Sequence, residues 1–209
     1  MYRLKYFTEE DDEKVLAFMK AYYFAVIVSA DADYPVATHI PLEIIQRDNK
    51  LLFTGHIMKN TDHHKAFLKN EKVLVIFNGP HCHISASWYP TPNVASTWNY
   101  MTVHAKGKIT FGDEAQTKKI VEELTNKYEA DDSPAAFKNL PEEYIDRLVK
   151  AILSFTIEVE SLENVFKLSQ NHDLPTRESI IAHLTKNGSD NEKSIANEME
   201  KRLSLPKQS

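Results

Sequence analysis

Cysteine is nearly missing: Cys82 is the only one in 209 residues, so neither an intramolecular disulfide nor a cysteine-built zinc site is open to the chain, and a reducing compartment suits it. Glycine is almost as scarce. Gly55, Gly79, Gly107, Gly112 and Gly188 are the full set, and no two are spaced to cradle a phosphate with backbone N–H groups, which removes the Rossmann and P-loop readings. Positive charge is in deficit. The 25 Lys+Arg stand against 30 Asp+Glu, and the formal charge of −5 opposes sequence-independent contact with a phosphate backbone. No apolar run approaches the ~20 residues of a membrane span, and the opening residues turn acidic at Glu9-Glu10, so a cytoplasmic protein with no membrane partner is expected. There is no HExxH pattern, no nucleophile elbow and no persuasive helix-turn-helix.

What remains is 42% hydrophobic and 26% charged, the profile of an ordinary globular protein with one sizeable core. Thr8-Glu9-Glu10-Asp11 reads as a capped, acidic helix start, and Val15, Phe18, Met19 and Tyr22 recur at helical spacing, predicting a helix over 9–21. Strand patterns follow over 23–30, 36–45, 51–55, 73–78, 81–88 and 99–111, with polar links at Asp31-Ala32-Asp33 and Arg47-Asp48-Asn49-Lys50 suited to antiparallel hairpins. Thr61 or Asp62 is placed to cap a short helix to Lys69 that turns Ala66 and Phe67 inward. Two amphipathic helices carry Ile120, Val121, Leu124 and Tyr128, then Tyr144, Ile145, Leu148, Val149 and Ile152, before a last strand alternates Phe155, Ile157 and Val159 with polar residues. Antiparallel strands first and helices mostly later indicate an α+β fold, and closure into a barrel removes exposed edges. Beyond Asn187 the chain is highly charged, and its final helix is expected to pack weakly.

Chemistry concentrates between Phe77 and Gly107, which holds both tryptophans among imidazoles and hydroxyls, the side chains that hold a flat polar ligand. Trp88, Tyr89, Trp98 and Tyr100 suit stacking on an aromatic ligand, an interface or a core, and Asn99 and Ser87 supply hydrogen bonds beside the indoles. His81 and His83 share a strand face with Ser85 and Ser87, as metal ligands or as hydrogen-bonding groups. Thr102, His104 and Lys106 form another polar alternation, lining a pocket or facing water. Cys82 is either a nucleophile beside a histidine or an inert small hydrophobe. With no glycine loop, a phosphate must be gripped by side chains. Thr38 and His39, Thr54, Gly55 and His56, and Lys59, His63, His64 and Lys65 provide such a set at one locus, whose plain alternative is a solvated basic loop.

Taken in order, Thr38-His39-Ile40-Pro41-Leu42, Thr54-Gly55-His56-Ile57, Val75-Ile76-Phe77-Asn78-Gly79-Pro80-His81, Ser85-Ala86-Ser87-Trp88-Tyr89, Thr97-Trp98-Asn99-Tyr100, Val103-His104-Ala105-Lys106-Gly107 and Lys167-Leu168-Ser169-Gln170-Asn171 resemble the PaiB-type FMN-binding family, described as negative transcriptional regulators. The resemblance runs from Met1 to about Leu184. It implies an antiparallel split β-barrel similar to pyridoxamine-phosphate oxidases and flavin reductases, over 1–170, with a helical appendage over 171–209. It also implies a homodimer with FMN at the subunit interface. Thr38, His39 and Ile40 would lie along the flavin, Thr54, Gly55 and His56 beside its ring or ribityl chain, and Lys59 or Lys65 at the phosphate. Trp98, Asn99, Lys167, Gln170 and Asn171 would come from the partner subunit. Where the family commonly continues Ala-Arg-x-Asn-Pro, this chain has Met58-Lys59-Asn60-Thr61-Asp62, which keeps the charge and loses the planar guanidinium fork. The implied function is an FMN-binding regulator or sensor, with DNA or another regulatory partner. The rivals are a flavin-dependent oxidoreductase using His56 or His104 as proton donor, and a haem protein with histidine axial ligands.

Overall fold

Leu42 decides the architecture. The computed structural model describes Met1 and residues 4–31, 33–91 and 94–203. In it the single strand expected over 36–45 is two: β2 (Val36–Pro41) and β3 (Glu43–Arg47), separated by Leu42 alone. With β1 (Phe24–Ser29), β4 (Lys50–Met58), β5 (Lys72–Ile84), β6 (Thr97–Phe111) and β7 (Ile152–Lys167), they form one sheet in the order β2-β1-β5-β6-β7-β4-β3. β2 and β3 therefore end opposite sides of the strand order while being one residue apart in the chain, so the two edges are brought round to meet. That is a barrel, and it leaves few open edges. Pro41 brings no N–H to continue the β2 ladder, and Leu42, itself buried, instead donates its backbone N–H to Tyr23 O at 3.0 Å.

The pairings are antiparallel. β1 meets β2 with Ala25 opposite Ile40 and Val26 opposite His39, and β4 meets β3 with Thr54 opposite Glu43 and β7 with Gly55 opposite Phe155. The β3–β4 hairpin turns on Asp48 and Asn49, both in the left-handed region at φ 52° and 60°, the geometry of a two-residue type I′ turn and the one the Arg47–Lys50 link predicts. The helices are α1 (Asp12–Ala21), α2 (Asp62–Lys69), α3 (Glu114–Tyr128), α4 (Glu142–Ala151), α5 (Leu174–Asn187) and α6 (Asp190–Glu200).

The chain divides into two compact units. One comprises Tyr23–Phe77 and His104–Leu162. It carries β1 to β4 with the adjoining parts of the three long strands, packs Ile27, Phe53, Val75, Phe77, Phe155 and Ile157 inside, and holds a second cluster of Val121, Phe137, Ile145, Val149 and Ile152 between α3 and α4. The other comprises Met1–Tyr22, Asn78–Val103 and Glu163–Ser209 and buries Phe18, Met19, Phe166, Leu168, Ile180 and Leu184.

Four expectations change. Asp11, not Thr8, caps α1, because its carboxylate accepts from the N–H groups of Glu13 and Lys14. Asn78-Gly79-Pro80 does not break a strand: β5 runs through it, and the buried set changes phase there, from Val73, Val75 and Phe77 to Pro80, Cys82 and Ile84. β1 pairs with β5 only at Leu74–Ile76, so Pro80 lies beyond the point where β1 would ask it for a donor. Ala86–Trp88 is a 3₁₀ turn, capped by Ser85, rather than strand. Finally, α6 does not pack weakly, since Ile195, Ala196 and Met199 are buried.

Candidate functional site

β4 sorts its residues by pleat. Phe53, Gly55 and Ile57 point into the barrel, and Thr54 and His56 point out. Gly55 is required by close approach: a Cβ there would lie 2.9 Å from Phe155 Cζ and 3.3 Å from Ile40 Cγ2. Thr54 and His56 line a narrow cleft with Pro41, Glu43 and, from α3, Ile120, Glu123 and Leu124. Its volume is about 10 Å³, room for a single water. Burial holds His56 below the ordinary histidine pKa, so it is neutral near pH 7. On β2, Ile40 is buried and Thr38 half-buried on the inner face, whereas His39 is exposed on the outer one with its ring against Phe24, centroids 6.2 Å apart.

Past β4 the chain turns at Asn60, φ 67°, and enters α2. Thr61 caps the helix, its hydroxyl 3.3 Å from the His64 N–H, 3.1 Å from Met58 O and 3.0 Å from His63 Nε2. His64 is buried, accepts from the Asn60 N–H through Nδ1 at 3.0 Å, and lies edge-on to Phe111. Its pKa is lowered, first by burial and then by the charges of His63, Lys59 and Lys65. Lys59 Nζ donates to Val149 O at 3.4 Å, while Lys65 is exposed and has no ion pair among the described residues. Asp62 pairs with His63 at 3.1 Å. Lys59, His63 and Lys65 thus lie around one helix start beside the Asp62 carboxylate, and since the Asn60, His63 and His64 N–H groups are already taken by side chains, it is the two ammonium groups that are left to meet the oxygens of a phosphate.

The residues expected from a partner lie in the other unit. Trp98, 54% exposed, stands between the rings of His81 and His83, at 6.3 and 5.9 Å. Asn99 beside it is fully enclosed and exchanges hydrogen bonds with Ser169 Oγ at 3.0 and 3.1 Å, while its amide also meets Met199 Sδ. Lys167 Nζ donates to Thr97 Oγ1 and lies over the Phe7 ring, with its pKa lowered by burial. Gln170 spends both ends of its amide locally, on Phe166 O and the Leu168 N–H. Asn171 is exposed. Of this group, Trp98 and Asn171 face solvent, and Asn99 and Gln170 are committed within their own unit.

Among the described residues, no three of His, Cys, Asp and Glu are placed to share a metal ion. Cys82 is buried with its thiol pushed up to about 12, by burial and then by Glu192, which makes it the inert hydrophobe of the two readings. Two features carried no sequence signal. Ser169 adopts φ 61°, rare for a serine, and Trp88 stacks on His183 at 5.3 Å and 12° while its carbonyl accepts from Ser179 Oγ.

Residues 1–161 match the family described as "Putative FMN-binding domain". The chain is 35% identical over 207 residues to the Protease synthase and sporulation protein PAI 2 of Bacillus subtilis, covering 97% of this chain and 98% of that one. Among solved structures, the flavocytochrome Anf3 from Azotobacter vinelandii superposes with a TM-score of 0.58 at 14% identity, over 79% of this chain and 72% of that one. The FAD and heme binding protein from Mycobacterium smegmatis gives 0.56 at 12%, over 77% and 73%. These two share the fold, an α+β antiparallel split barrel.

Proposed function

This chain belongs to the FMN-binding domain family, and we propose that it is an FMN-loaded regulator or sensor of the PaiB type, working as a homodimer. Its cofactor is FMN. The observation that carries the reading is the start of α2, where Thr61 meets His63 and where His63, Lys59 and Lys65 are close enough to act on His64, in a chain that has no glycine loop for a phosphate. Bound there, FMN would supply electron and hydride chemistry, and the protein would set its orientation and surroundings. Thr54 and His56 would then lie beside the ribityl chain or ring.

The 10 Å³ cleft beside His56 has no space for a three-ring isoalloxazine, so the ring would rest on the surface and need a cover. A second copy supplies one in this reading, with its exposed Trp98 and Asn171 as the residues available to it, Lys167 behind them, and Asn99 and Gln170 shaping that surface from within. No described helix is long and apolar enough to cross a membrane. The Bacillus subtilis relative is named a protease synthase and sporulation protein, and regulation rather than turnover is the role we propose, following the resemblance of the sequence motifs.

The test uses the FMN-loaded protein. Regulation predicts that NADH and NADPH leave the flavin absorbance unbleached at catalytic rates, and that binding to a partner or promoter fragment differs between the FMN-loaded and FMN-free forms. Rapid bleaching with multiple turnovers on a small acceptor would instead make it an oxidoreductase.

A further inference from the structure

A cavity of about 390 Å³ opens between α1 and the end of α6, and none of the residues assigned to FMN above lines it. It falls in the range of small-molecule sites, about 300–1,000 Å³. Its floor is aromatic and buried: Phe18 and Phe166 meet at 5.0 Å, Tyr22 joins Phe18 at 4.8 Å, and Met101 completes the surface. The space exists because α1 presents alanines, Ala17 and Ala21, one turn apart on the same face, where longer side chains would close it.

The wall opposite is held in place. Arg202 lies over the Phe166 ring at 5.6 Å, and its guanidinium is gripped by Glu198 at 2.6 Å, by the Glu198 carbonyl at 3.1 Å and by Glu9 at 3.1 Å. A side chain fixed at both ends of its fork is already ordered before any ligand arrives, which lowers the entropic cost of binding. Lys14 and Lys201 complete the rim. Each has one carboxylate partner, Asp11 at 3.3 Å and Glu198 at 2.6 Å, and both lysines are about half exposed, so these pairs are weak and their ammonium groups can be shared. Three cations and one carboxylate line the opening, Asp11 and Glu9 balance two of those cations from outside it, and the half-exposed ammonium groups of Lys14 and Lys201 are the ones open to a further carboxylate.

We infer that this cavity binds a small amphipathic monoanion, a flat apolar body on the Phe18–Phe166 floor with one carboxylate reaching Lys14 and Lys201. Polyanions fit less well, because Glu198 stands in the same rim. The body displaces water from a surface of rings and thioether, and the carboxylate gives the orientation.

Calorimetric titration of the full chain with 2-naphthoate, and with neutral 2-naphthamide as its counterpart, tests this. Saturable binding of one naphthoate per chain is expected, at least tenfold tighter than the amide. The double variant Lys14→Gln/Lys201→Gln should lose that tenfold preference and keep the amide affinity. Ala17→Trp, and separately Ala21→Trp, should abolish binding of both compounds; FMN absorbance and melting temperature, followed in each variant, show that it is folded. The absence of saturable naphthoate binding, or binding unchanged in both folded tryptophan variants, would overturn the site, and equal affinity for acid and amide in the unmodified protein would overturn its anion preference. Since none of the FMN-assigned residues lines the cavity, a failed naphthoate titration leaves the FMN reading standing, and the converse also holds.

Discussion

Asn99 has no exposed surface, and its amide is divided between Ser169 Oγ and Met199 Sδ. Ser169 needs the support, because φ 61° is costly for a residue with a Cβ, and the reciprocal hydrogen bonds from Asn99 hold its side chain in place. Asn99→Leu leaves the Ser169 hydroxyl buried and unpaired, so a loss of about 1–3 kcal/mol is expected in urea unfolding. His64 gives a pH dependence with a definite sign. Its Nδ1 accepts the Asn60 N–H, and its folded pKa lies below the ordinary 6.5, so the unfolded chain takes up the proton first. The stability it contributes is complete above the ordinary value and is lost as pH falls below 6.5 toward the folded pKa. His56 and His172 shift in the same direction. His64→Asn should therefore flatten part of the fall in urea midpoint between pH 7.5 and 5.5. An unaltered slope would assign the effect to the other two histidines.

At the scale of elements, packing overrides pattern in identifiable places. The α1, α2, α3 and α4 helices were legible from apolar spacing, with the expected cap agreeing at α2, and so was the Asp48-Asn49 hairpin, because its two residues are of the kind that tolerates positive φ. The division at Leu42 was not: an apolar residue continues the strand pattern, and only the three-dimensional sheet order shows that β2 and β3 belong to opposite edges. Gly79-Pro80 misled in the other direction, since a turn dipeptide sits where β5 changes phase without ending. In α6 the charged face hid a narrow apolar stripe of Ile195, Ala196 and Met199. Ile195→Ala should cost about 2–5 kcal/mol in thermal or urea unfolding, the range for a buried large-to-small change, where a loosely attached helix would lose almost nothing. Glycines along the strands separate by what they touch. At Gly107 a Cβ would collide with the Glu158 backbone carbonyl at 2.4 Å, whereas at Gly55 it meets the end of the Phe155 side chain at 2.9 Å, a less severe clash with atoms that have more give than a backbone. Gly107→Ala should accordingly lower the melting temperature more than Gly55→Ala.

For the whole molecule, the sequence motifs carried the barrel and the cofactor, and the comparisons bear out both. The residues that would meet FMN were less legible. Pleat direction separates His39 from Thr38 and Ile40, burial encloses Asn99, and local hydrogen bonds occupy the amide of Gln170, none of which a linear motif expresses. In the proposed function, side chains at the start of α2 hold the phosphate of FMN. This is tested most directly by fluorescence titration of the flavin-free protein with FMN and with riboflavin, repeated for Lys59→Ala and Lys65→Ala. Tight quenching of FMN, much weaker quenching of riboflavin, and a loss of about 1–3 kcal/mol in FMN affinity for at least one variant with riboflavin unaffected are expected. Equal affinity for the two flavins, or FMN binding untouched by both substitutions, would contradict it.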